Sequence, residues 1–238
     1  MDRKGIVPGL FEYAVWVLGA IFEAAVVVCS LYRGSFRRYF TLNIYMSASI
    51  FVSVGRYLVL SRHGLVSSEY AYFYYYSDAI LTICLYFALI GLYAIVFEEL
   101  GAALYLRIFS VVLLLGTTLF SYGVVHQSEN RILTHYILEI SQNLYFVGLV
   151  LTYLLWATVL KLHESRIRVI QFVLSLGVYF SVNAANYALR NVYPNFHFIW
   201  AYLPPLTGVL LPVAWTYALL RFNDDARLVP ARLAVVPR

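Results

Sequence analysis

Charge is scarce in this chain: Asp, Glu, Lys and Arg make up 12% of its 238 residues, about half the share of an ordinary soluble domain. Lysine is scarcer still, limited to Lys4 and Lys161, both outside the apolar stretches. No buried amine is therefore available for a retinal Schiff base, which excludes a rhodopsin. The only cysteines, Cys29 and Cys84, fall near the end of the first apolar run and in the middle of the third, and at such different depths they imply no disulfide framework. No asparagine stands in an Asn-x-Ser/Thr setting, so nothing marks a glycosylated face, as fits a bacterial protein. The histidines form no His-x-x-His or His-x-x-x-His pair, and no metal site is expected. A Gly-rich phosphate loop, a nucleophile elbow and kinase elements are all missing, so neither an enzyme nor a cofactor is expected.

What fills the chain instead is hydrocarbon. Hydrophobic residues make up 62% and the mean hydropathy is +0.76, values that belong to a polytopic membrane protein. A membrane-crossing helix needs roughly 20 apolar residues, and seven runs qualify, at 10–31, 40–60, 70–97, 102–122, 133–160, 168–189 and 197–220. The fold class expected is all-α: a seven-helix transmembrane bundle over residues 1–221, followed by a short basic tail over 222–238. The first run is long, carries Glu23 and lacks a small-x-small cleavage site, so it reads as a retained span rather than a signal peptide.

The formal charge of +5 lies mostly in the short connections, which points to membrane orientation and not to nucleic acid. With the N-terminus outside, eleven basic residues are cytoplasmic: Arg33, Arg37, Arg38, Arg107, Lys161, Arg166, Arg168, Arg221, Arg227, Arg232 and Arg238. Five are external: Arg3, Lys4, Arg62, Arg131 and Arg190. The expected orientation is N-out, C-in, in a bacterial inner membrane.

The stretch YAYFYYYSDAI at 70–80 sets five tyrosines ahead of an acid, Asp78. Tyrosine favours the headgroup boundary, so on the N-out orientation these rings form the outer belt of the third span. Asp78 then lies about 12 Å below Tyr70, where a charge must face the bundle interior rather than lipid. Polar residues of other spans share that depth: Arg56 in the second; His135, Glu139, Gln142 and Asn143 in the fifth; and Asn183, Asn186 and Arg190 in the sixth. The last group continues a stripe through Gln171, Ser175 and Tyr179 at spacings of three and four. Together these residues describe either a polar pocket in the outer half of the bundle or a structural network of intramembrane hydrogen bonds and ion pairs. Glu23 sits deeper, and its expected partners are Arg33 or Arg37 of the inner loop. In the seventh span Pro204, Pro205 and Pro212 each remove a backbone donor, so that span is expected to kink or break, as a hinge or as a fixed bend.

The segment RRYFTLNIYMSASIFVSVGRYLVLSRHG followed by YAYFYYYSDAILTICLYFALIGLYAIVFEEL resembles a group of uncharacterised bacterial seven-span membrane proteins. There too an Arg late in the second span precedes an aromatic, acid-bearing start to the third. The resemblance covers residues 37–100 and implies the bundle without an activity; Arg56 and Asp78 are the positions it carries over. Three functions fit the sequence. A receptor-like or accessory protein would take a small-molecule ligand from outside and signal through a partner protein on the basic inner face. A small-solute transporter would be built as three spans, a linker span and three spans. A structural subunit of a membrane complex is the third. Within the seven runs no Gly-x-x-x-Gly motif signals self-association.

Overall fold

The computed structural model describes residues 10–64, 67–98, 103–125, 132–161, 166–192 and 197–223. They form seven helices and, among the described residues, no strand: α1 (Leu10–Tyr32), α2 (Phe40–His63), α3 (Ser68–Val96), α4 (Ala103–Val125), α5 (Ile132–Lys161), α6 (Ile167–Val192) and α7 (His197–Arg221). Each helix coincides with one of the apolar runs to within three residues at either end. Apolar side chains leave the backbone no partner but itself, and the helix is the form that satisfies every N–H and C=O within one segment.

Among the described residues, five stretches are long and apolar enough to cross a bilayer: Tyr13–Tyr32, Phe40–His63, Ser68–Val96, Tyr136–Lys161 and Ile167–Leu189. Within α4 the described apolar stretch is shorter, Ile108–Gly123. The outward surfaces agree with this. Phe51 is 77% exposed, Leu119 69% and Phe120 64%, and similar side chains cover the outside of every helix with described side chains. A water-soluble monomer rarely exposes apolar area on that scale, so lipid is the solvent. The chain is a multi-pass membrane protein.

Helix ends are locally encoded. Ser67 caps α3 by accepting from the Tyr70 amide at 3.1 Å. Gly64 closes α2 with φ at 79°, the left-handed region that glycine enters without a β-carbon penalty, while its amide reaches the Leu60 carbonyl at 2.9 Å.

Consecutive helices pack antiparallel. Neighbours follow the order α1, α2, α3, α5, α6, α7 and back to α1, which closes a ring of six. α4 lies outside this ring, against α5 and more lightly against α3, and α3 also touches α6 across the middle. The core on the α1–α2 link side of the ring is aromatic: Phe172 meets Tyr39 edge-on at 5.0 Å and Trp215 at 5.8 Å, with Trp215 fully buried. Glycine allows the closest approaches. A β-carbon at Gly148 of α5 would overlap the Phe180 ring of α6, and one at Gly91 of α3 would overlap Thr41 of α2.

Of the two outcomes expected at the prolines, a kink or a break, the break does not occur. α7 is one continuous helix from His197 to Arg221, unbroken at Pro204, Pro205 or Pro212. Each proline removes a single rung of the ladder, and packing on both sides by α1 and α6 holds the remaining turns in place. Thr207 adds a bond of its own, its hydroxyl donating to the Leu203 carbonyl at 3.1 Å.

Candidate functional site in the bundle interior

Arg56 leaves α2 two turns before its end and reaches α3. Its Nε donates to the Ser77 hydroxyl at 3.0 Å and a terminal nitrogen donates to the Tyr74 carbonyl at 3.3 Å. The guanidinium also lies 4.2 Å from the centre of the Tyr74 ring, within cation–π range. The tyrosines ahead of the acid therefore do more than mark the headgroup boundary, since one of them cradles the neighbouring cation by ring and carbonyl.

Asp78 follows on the next residue of α3 and is half-buried. Arg56 is within electrostatic reach of it, yet among the described residues the Asp78 carboxylate forms neither an ion pair nor a hydrogen bond. Only its backbone carbonyl is engaged, accepting from Thr82 at 2.8 Å. Around it stand tyrosines of four helices, Tyr45, Tyr74, Tyr145 and Tyr179, all within reach of its charge. Tyr45 and Tyr145 both lie beside Tyr179, and Thr82 lies beside Tyr145. The rings of Tyr145 and Tyr179 are 6.3 Å apart.

Glu23 joins the same region, which corrects the expected tether to Arg33 or Arg37. Its Oε1 accepts from the Ser49 hydroxyl at 2.5 Å, its Oε2 is buried with no partner, and it is within electrostatic reach of Arg56 and Tyr45. The reason is depth: Glu23 and Ser49 each stand nine residues from the α1–α2 connection, so the antiparallel pair brings them level. Arg33 turns the other way, to the Asn223 Oδ1 at 2.7 Å and the Leu220 carbonyl at 2.5 Å.

The remaining expected residues divide. Glu139 and Asn143 do not join Arg56 and Asp78; Asn143 donates to Glu139 at 3.4 Å and to Ser121 of α4 at 2.9 Å, so this pair fastens α4 to the ring. Gln142 is half-buried on the same helix. Asn183 is buried and donates to the Tyr179 carbonyl one turn back in its own helix at 2.9 Å. Asn186 is buried one turn further along, its Oδ1 without a partner. The side chains of His135, Arg190 and Pro204 lie outside the described residues. Pro205 is exposed and Pro212 buried.

A second polar assembly, at the end of the bundle where α1, α3 and α7 finish and α6 begins, was not singled out from the sequence. Arg168 is 1% exposed. It donates to the Ser35 hydroxyl at 3.0 Å, to the Leu219 carbonyl at 3.4 Å and to the Phe222 carbonyl. Arg166 donates to the Ile95 carbonyl at 3.1 Å and meets Glu98 at 3.6 Å, which Arg38 approaches at 3.7 Å. Arginines thus supply donors to carbonyls at the ends of α3 and α7, where the helical ladder runs out. One signal was present: Arg168 lies in the first turn of α6, the end of a helix dipole that disfavours a cation, so its placement needed a reason from elsewhere.

The fold and the site define an all-helical, multi-pass membrane protein with charged groups in its interior. No family model, no curated protein and no solved structure matches this chain.

Proposed function

We propose that the chain is a seven-span protein of the bacterial inner membrane, N-terminus outside and C-terminus cytoplasmic. In this reading it works as a receptor-like or accessory ligand-binding protein with no catalytic step. The orientation is supported by the eleven-to-five distribution of basic residues and by the arginine assembly at the end taken as cytoplasmic. Cysteines introduced at Ser61 and Arg38, with Cys29 and Cys84 replaced by Ala, test it: in intact cells an impermeant maleimide labels the first and spares the second. The reverse pattern overturns the orientation.

The ligand site is the Arg56–Asp78 region, and the observation that carries it is the uncommitted Asp78 carboxylate. A charge within a membrane protein is normally paired, and an unpaired one marks a site by default. Arg56 is engaged by Ser77 and Tyr74, Glu23 has a second oxygen without a partner, and tyrosine faces surround the acid. A ligand with a protonated amine meets the Asp78 carboxylate and the free Glu23 oxygen through charge and the tyrosine rings through cation–π contact. Access is from outside, because the inner half of the ring is filled by Tyr39, Phe172 and Trp215 and closed by Arg168. A thermal-shift screen of the detergent-solubilised protein against small amines tests the reading: at least one stabilises the wild type and none stabilises Asp78→Asn. Equal shifts in both proteins reject the site.

A second reading, a small-solute transporter, draws support from the helix order. α1–α2–α3 and α5–α6–α7 are two contiguous triplets closed on each other, with α4 outside as a linker would be. Uptake of the stabilising amine into proteoliposomes favours this reading; binding without uptake favours the receptor.

A further inference from the structure

A half-open groove of about 320 Å³ lies between α3, α4 and α5, with Tyr93, Phe109, Leu151, Ala157, Thr158 and Lys161 in its wall. It is remote from the Asp78 region and independent of the function proposed for it. Two of the lining residues carry hydroxyls, and both are already satisfied: Tyr93 donates to the Leu151 carbonyl at 2.6 Å and Thr158 to the Leu154 carbonyl at 2.8 Å. Along most of its length the wall therefore asks for no hydrogen bond, and only hydrocarbon fills it without loss. The exception is Lys161, at the last residue of α5, exposed and without an ion pair among the described residues.

The dimensions match one leaflet. From Leu151 to Lys161 the helix rises about 15 Å, half of a hydrocarbon core of about 30 Å. The ammonium then sits at headgroup level and the apolar wall runs to the midplane. We propose that this groove holds one acyl chain of an anionic phospholipid whose phosphate rests on Lys161. The open side leaves the second chain in the bilayer. α4 packs lightly on α3 because the lipid chain completes that contact.

The test uses the full chain in nanodiscs of phosphatidylcholine and phosphatidylglycerol with phosphatidylcholine in excess, and retained lipid is identified by native mass spectrometry. A cation near the membrane surface favours an anionic lipid by about fivefold, so the wild type retains one phosphatidylglycerol at about that enrichment over the bulk ratio. Lys161→Gln returns retention to the bulk ratio. Ala157→Trp, which fills the groove from its exposed edge, removes the retained lipid with either headgroup. Lys161 is exposed at a helix end, so its variant keeps the wild-type circular dichroism and decides the question even where the tryptophan variant does not fold. The proposal is overturned by any of three results: wild-type retention at the bulk ratio, unchanged enrichment in Lys161→Gln, or a groove occupied by a free fatty acid or by a second copy of the chain.

Discussion

Replacing Arg168 with Met removes at least three donated bonds, those to partners among the described residues, while keeping much of the side chain's length. The guanidinium holds the Ser35 hydroxyl, the Leu219 carbonyl and the Phe222 carbonyl, and each bond from a charged donor contributes about 1.5–3 kcal/mol. Against that stands the desolvation of a cation only 1% exposed, several kcal/mol that the neutral side chain no longer incurs. The balance is set by the two carbonyls at the end of α7, which have no helical donors of their own and cost about 1–3 kcal/mol each when buried and unmet. A net loss of roughly 2–4 kcal/mol follows, or a fall in melting temperature of roughly 4–16 °C for a chain of this size.

The assay is a melting curve in detergent run across four proteins: wild type, Arg168→Met, Ser35→Ala and the double variant. Ser35→Ala alone costs about 1 kcal/mol, and because part of that loss is the bond already absent in Arg168→Met, the double variant loses less than the sum of the two single variants. Arg168→Lys falls between, since a single ammonium does not reproduce the fork that spans acceptors on two elements. A melting temperature for Arg168→Met within about 2 °C of wild type, or strictly additive losses, refutes the clamp.

Asp78→Asn removes a carboxylate that has no ion pair or hydrogen bond among the described residues, so it leaves the unliganded protein as stable as wild type or raises it by about 1 kcal/mol, read from the same melting curves. A loss above about 2 kcal/mol shows that the acid is paired. Glycine substitutions separate by position. Gly148→Ala meets the Phe180 ring and lowers stability by about 1–3 kcal/mol, whereas Gly116→Ala, with nothing within 4 Å of the new carbon, raises it by about 0.5–1 kcal/mol. Tyr86→Phe deletes the hydroxyl that donates to the Ser110 carbonyl at 2.8 Å and costs about 1 kcal/mol; the exposed Tyr217→Phe, measured beside it, costs nothing.

Depth was legible in this sequence and rotation was not, for a physical reason. A helix surrounded by lipid on one side and by apolar neighbours on the other shows little contrast between its faces, so the periodic signal that orients a helix in a soluble protein is nearly flat. Helix positions follow from run length alone, and α1–α7 sit where the apolar runs put them. Arg56 and Asp78 are close because they share both depth and a helix pair. Glu139 shares the depth, but Asn143 and Ser121 draw it toward α4. α6 is the instructive exception: its stripe of Ser175, Tyr179, Asn183 and Asn186 was polar enough to orient it. Trp215 donates to Ser175 at 2.8 Å, and Tyr179, Asn183 and Asn186 follow inward from there. The Arg168 clamp lay beyond reach for the opposite reason. Its acceptors are backbone carbonyls, a group every residue carries, so no choice of amino acid at Leu219 or Phe222 announces that an arginine from another helix will cap them.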